Sequence, residues 1–276
     1  MRTIETKNAI PMCYALTVTM SGYRLSGEAC ILQRRVVIME VENMSTPSSS
    51  ATEPVASKHR QLRAELNFLP RADGSCALEQ GGTLVWASVN GPGDVASSKR
   101  LDDKLYVEVV YRHGQSSLCS VRENRLLTSV IEQIVDCVKY PHKMIAVTIQ
   151  EMHSDGSEMA ASATSACLAL LDSGIAMNGV FCGICVSHSG DTFVLDPCLK
   201  VAAEADSIFT FVFKSFVTAA KGRRTILVGC CTDGTYEYGV FEAALKLARE
   251  ASADVFLFLR EAMQRKLSID SWMVAQ

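Results

Sequence analysis

The sequence predicts an α+β fold of the split βαβ type, with mixed sheets, crossover helices and a long C-terminal helix. Two observations carry this reading: strand-like runs pair around glycine turns, and between them apolar residues recur at helical spacing. The first pair lies in residues 63–92, RAELNFLPRADGSCALEQGGTLVWASVNGP. A basic, partly apolar lead-in turns at Asp73-Gly74, and runs from Ser75 to Leu78 and Thr83 to Val89 follow, joined through Gly81-Gly82. That is a short-looped hairpin. Asn90-Gly91-Pro92 is expected to end the second strand, because proline removes a ladder donor and glycine tolerates the turn.

Residues Lys104 to Tyr111 alternate like a strand, and Leu126, Leu127, Val130, Ile131, Ile134, Val135 and Val138 then recur as one helix face, which Pro141 is expected to close. Met144 to Met152 is strand-like. Glu158 to Leu171 is an alanine-rich helix capped by Ser173-Gly174. Val180 to Ser187 and Thr192 to Leu195 pair around Ser189-Gly190-Asp191; Ile208 to Phe216 and Thr225 to Cys231 flank the basic turn Lys221-Gly222-Arg223-Arg224. The last helix begins near Thr235 and presents Phe241, Leu245, Ala248, Val255, Leu259 and Met263 on one side.

A chain of 276 residues with 48% hydrophobic content buries a substantial core, and a net charge of −3 argues against a globally basic nucleic-acid binder. RNA binding therefore has to be argued from local sites. Eleven scattered cysteines, an odd number, fit reduced thiols better than a disulfide framework. The N-terminal run from Ile10 to Met20 is broken by Pro11, Thr17 and Thr19 and does not read as a secretory signal. No window reaches the roughly 20 apolar residues that span a bilayer, so no membrane partner is expected.

Residues 44–59 are rich in Ser, Thr and Pro and read as a linker. They separate an N-terminal extension, 1–43, from the main domain at 60–268, with 269–276 as a tail. The extension carries strand-like runs from Tyr14 to Met20 and from Ala29 to Val41.

The order R-A-D-G-S at 71–75, Q-G-G-T at 80–83, an apolar strand and then G-P at 91–92 resembles the opening of the RNase PH family, which includes phosphorolytic 3′-to-5′ exoribonucleases and ring subunits of the RNA exosome. Further matches follow in the same order: His153-Ser154-Asp155-Gly156-Ser157 resembles the family's aspartate loop, Ala169-Leu170-Leu171-Asp172-Ser173-Gly174-Ile175 resembles its A-L-x-D-A-G-I/V, and Leu195-Asp196-Pro197 resembles its L-D-P. The likeness covers about Arg60 to Leu267. It implies an RNase PH-like fold whose subunits join head to tail in a six-membered ring. The implied partners are other RNase PH-type exosome subunits, RNA-binding cap subunits and RNA. The implied locations are nucleus, nucleolus and cytoplasm.

Phosphorolysis brings phosphate against a phosphodiester, so it demands clustered cations and an acid for the leaving oxygen. The resemblance makes Asp155 the candidate catalytic residue, and Arg122, with Arg112 and Arg125, the candidate phosphate or RNA contacts. Three departures argue for lost catalysis. Glu123 stands where a second cation is common, Glu158 replaces a residue often arginine in active members, and the aspartate loop is one residue short, so that alignment on Gly156-Ser157 puts Ser154 in the catalytic slot. The expectation is a non-catalytic exosome ring subunit serving RNA processing and decay. The alternative is an active phosphorolytic or homo-oligomeric nuclease using Asp155. No cofactor is expected, with inorganic phosphate a co-substrate only if the chain is active.

Ordinary readings stand beside these. Asp155-Gly156-Ser157 also suits a turn and N-cap, and Arg112-His113 and Lys221-Gly222-Arg223-Arg224 also suit solvated tips. Cys182-x-x-Cys185 has a zinc-like spacing, with His188 and Cys198 beyond, but its run reads as a buried strand and no metal site is expected. Trp86 and the alternation of Phe209, Phe211 and Phe213 read as core. No G-x-x-x-x-G-K-S/T, G-x-S-x-G or H-E-x-x-H motif is present.

Overall fold

Two five-stranded sheets enclose a helix. One sheet has the order β2 (Leu62–Leu66), β3 (Gly74–Gln80), β4 (Thr83–Asp94), β6 (Lys143–His153), β5 (Tyr106–Arg112); the other has the order β1 (Thr17–Met20), β10 (Gly222–Gly234), β9 (Ser207–Thr218), β7 (Val180–Ser189), β8 (Thr192–Leu195). This computed structural model describes residues 17–20, 59–114, 121–218 and 222–274. The linker, most of the extension and the Ala29 to Val41 run lie outside those residues.

The enclosed helix is α2 (Glu158–Asp172), and every residue from Ala160 to Leu170 is buried. A helix apolar all round must be covered all round, and α2 packs on β3 and β4 of one sheet and on β7 of the other. Its Ala and Ser residues let both backbones come close. Two glycines complete the fit: a Cβ on Gly74 of β3 would lie 2.3 Å from the Ala169 carbonyl oxygen, and one on Gly183 of β7 would lie 2.5 Å from that of Ala160.

β5 runs parallel to β6, joined through α1 (Val121–Ile134), while β4 and β6 are antiparallel. This is the split βαβ unit expected from the sequence. The long helix α4 (Tyr238–Val274) packs on β7 and β9, its Phe241 set edge-on against Phe209 and Phe211. Among the described residues no helix is long and apolar enough to cross a membrane.

Four local expectations are corrected. β4 continues past Pro92 because the ladder shifts register, with Asn90 opposite Ala146 and Gly93 opposite Met144, so one extra residue bulges out. The helix expected to run to Pro141 stops at Ile134, since Asp136 donates to the Ala176 carbonyl and Asn178 donates to that of Ile134. Long-range pairing captures the backbone there, and Val138 is left 74% exposed. The lead-in is itself a strand, β2. Arg223 and Arg224 belong to β10 rather than to a turn, and a short helix, α3 (Leu199–Glu204), follows the Leu195-Asp196-Pro197 motif.

Candidate functional site

The loop between β6 and α2 is fastened from three directions. Arg60, just before β2, reaches across the chain: its Nε donates to Asp196 Oδ2 at 2.9 Å and its Nη2 to Asp196 Oδ1 at 2.8 Å. Its Nη1 donates to the Asp155 carbonyl at 3.0 Å and lies 3.3 Å from Asp155 Oδ2. Gln80 adds a donor to Asp196 at 2.7 Å. Thr83 donates to the Gly156 carbonyl at 2.7 Å and accepts from the Asp155 N–H at 3.0 Å.

The Q-G-G-T string thereby gains a physical meaning. Its outer residues bind the loop and aspartate, and its glycines make room. A Cβ on Gly81, where φ is +58°, would meet the Arg60 side chain at 2.8 Å, and one on Gly82 would meet Asp155 Oδ2 at 2.8 Å. Asp196 is 2% exposed. Burial opposes its ionisation, but the His59 imidazole and the Arg60 guanidinium outweigh that and hold the carboxyl well below the usual carboxylate range. Arg60 is the firmer partner, because His59 Nδ1 stands 3.4 Å away.

On the other side of the loop lies a cavity of about 350 Å³, lined by the start of α1, the start of α2, α3 and the ends of β9 and β10. Among the described residues its Arg, Asp and Glu side chains are one guanidinium, Arg122, and three carboxyl groups, Glu123, Glu158 and Asp233. Arg122 is already committed. Its two terminal nitrogens donate to the two Asp233 oxygens, each at 2.7 Å, and its Nε lies 3.7 Å from Glu123. His113 on the wall is held by Glu151 at 2.9 Å, which also accepts from Tyr111 at 3.0 Å. A further negative charge placed about 4 Å from any one of these carboxylates is opposed by about 4 kcal/mol at an effective dielectric of about 20.

Asp155 and Arg122, the two residues the nuclease reading uses, have different ion-pair partners: Arg60 for Asp155, and Asp233 with Glu123 for Arg122. Asp155 faces Gly82 and Arg60 with its side chain 41% exposed and does not line the cavity, whereas Arg122 does. Arg112 is exposed at the end of β5 and Arg125 is exposed on α1; neither lines the cavity. Ser157 is the residue before α2, but its hydroxyl donates to the Pro197 carbonyl at 3.0 Å instead of capping the helix. Ser154 bonds Glu158.

The role of Asp233 had no signal in the sequence, since its partner is 111 residues away. Arg60 was equally silent. Cys182 and Cys185 stand three residues apart on one strand, so their side chains leave opposite faces and do not chelate one ion. Burial pushes the Cys185 thiol up to about 11.

Comparison with known proteins decides the family. Residues 58–176 match the 3′ exoribonuclease family, domain 1. The chain is 34% identical over 218 residues to the exosome complex component RRP46 homolog of Caenorhabditis elegans, covering 78% of this chain and 99% of that one. The chain belongs to the RNase PH family. Its RNase PH fold is shared with rice Rrp46, with a TM-score of 0.68 at 23% identity over 75% of this chain and 96% of the other. It is also shared with C. elegans cell-death-related nuclease 5, with a TM-score of 0.56 at 27% identity over 77% and 100% of the two chains. Within the RNase PH family, Phe181-Cys182-Gly183 and the tail from Val255 to Lys266 resemble the RRP46 branch in particular.

Proposed function

We propose that this chain is a non-catalytic subunit of the RNA exosome ring, giving assembly surfaces and RNA contacts to 3′-to-5′ RNA processing and degradation. The single observation that carries the proposal is the state of the cavity where family members would hold phosphate: among the described residues three carboxylates line it, and the one arginine, Arg122, is already paired with Asp233. Such a site opposes a second anion, and the chain's similarity to proteins named as RRP46 components supports the ring role. Sister RNase PH-type subunits, cap subunits and RNA are the partners this reading proposes. Nucleus and nucleolus, with a cytoplasmic share, are the proposed locations. The scaffold role needs no cofactor.

The alternative is an active nuclease working through Asp155, alone or as a homo-oligomer. It is favoured by the partial exposure of that carboxylate and by the likeness to C. elegans cell-death-related nuclease 5. The two are separated by incubating the isolated chain with a 3′-tailed RNA, with and without inorganic phosphate. The proposal expects intact RNA in both. Phosphate-dependent release of nucleoside diphosphates, lost in Asp155→Asn, overturns it.

A further inference from the structure

A second concavity lies at the opposite end of the α4-covered sheet, remote from the acidic cavity. It has a volume of about 300 Å³ and an aliphatic floor made by Leu171 of α2, Val180 of β7 and Leu259 and Met263 of α4. Its rim carries Arg223 of β10 and Arg260 of α4, both exposed, and no carboxylate among the described residues lines it. Among the described residues neither guanidinium makes a hydrogen bond or ion pair, whereas the nearby Lys266 is paired with Asp172 and Arg122 with Asp233. The apolar surface extends beyond the floor. Leu267 at its edge is 60% exposed, and Val217, the cross-strand partner of Arg223, is 77% exposed on the same face.

We infer that this groove docks an acidic, aliphatic segment of a partner protein, with two or three aliphatic side chains filling the floor and carboxylates meeting Arg223 and Arg260. Two observations select that occupant. The two guanidiniums flank a partly buried aliphatic floor and are the donors that carboxylates match in bidentate geometry, and no described carboxylate lines the groove to oppose that charge. RNA would also meet the arginines, but it binds by stacking bases on exposed aromatic rings. Among the described residues the one aromatic lining side chain, Phe256, is only 6% exposed. A peptide laid along α4 fits the groove-and-anchor mode of recognition.

The test uses the full-length protein and three labelled probes followed by fluorescence anisotropy: a peptide alternating glutamate with leucine, the same peptide with lysine for glutamate, and a short oligouridylate. The glutamate–leucine peptide is expected to bind saturably, at least about tenfold more tightly than the lysine peptide, and more weakly as salt rises. Arg223→Glu with Arg260→Glu is expected to weaken it at least about tenfold. Arg223→Ala with Arg260→Ala is expected to give a smaller loss in the same direction with an unchanged melting temperature, since both side chains are exposed. Equal binding of the two peptides, no binding of the glutamate peptide, or unchanged binding by both double variants overturns the proposal. Oligouridylate binding that disappears in the double variants, with the peptide indifferent, would make this an RNA surface instead.

Discussion

Arg60 and Asp196, separated by 136 positions, share two hydrogen bonds of 2.9 and 2.8 Å, and through the same guanidinium Arg60 holds the carbonyl of Asp155. One side chain thus ties the entry to the first sheet, the turn leading into α3 and the loop before α2. Arg60→Ala leaves Asp196 ionised and buried with fewer partners, and removing one member of such a pair costs about 3–5 kcal/mol. Urea denaturation of the variant should show a loss of that order, with Arg60→Lys between the two because it cannot reproduce the fork.

The same pair sets an acid limit. The folded carboxyl of Asp196 is held below its unfolded value of about 3.9, so its contribution to stability is present above that value. As pH falls below about 4 toward the folded value, the unfolded chain takes up the proton first and the contribution is lost. Unfolding free energies of the wild type, measured from pH 7 down to pH 3, should therefore fall more steeply at the acid end than those of Asp196→Asn. Parallel curves would contradict this origin.

Gly183 and Gly74 test the sandwich. Gly183→Ala forces a methyl group against the Ala160 backbone, with the oxygen at 2.5 Å and the Cα at 2.6 Å, and backbone on both sides cannot yield cheaply. A loss of about 1–3 kcal/mol is expected, as for other overpacked cores. Gly93→Ala, where nothing lies within 4 Å, is the control and should be close to neutral by thermal denaturation.

Charge in the acidic cavity is the basis of the functional proposal. Glu158→Gln combined with Asp233→Asn removes two carboxylates and releases Arg122, so inorganic phosphate should bind at least about tenfold more tightly than to the wild type. Phosphorus NMR line broadening during titration reads this directly. No gain would mean that the cavity is not where anion binding was lost.

Much of the fold was legible because its signals are local. The alternation from Thr83, the alanine-rich run from Glu158 and the Ser173-Gly174 cap each specify their own element, and the strand Thr192–Leu195 falls where its pattern places it. The failures occurred where a distant partner overrides a local pattern. Residues 176–178 capture the backbone after Ile134, and β6 accommodates the bulge that carries β4 past Pro92. For the candidate site, most residues of the family strings make scaffold contacts. Gln80 and Thr83 fasten loops, Ser75 donates its N–H to Asp172, and Asp73 accepts from the Gly91 N–H. The Arg122–Asp233 pair on which the proposed loss of phosphate binding rests joins residues with no local relation, and only folding brings them together.

As a ring member rather than a nuclease in its own right, this chain should be recovered from cells among sister subunits. The most direct measurement is native mass spectrometry of the tagged full-length protein purified gently from its own cells. The expected mass decomposes into this chain once, together with other RNase PH-type subunits. Recovery of the chain only by itself or as a homo-oligomer that degrades RNA would contradict it.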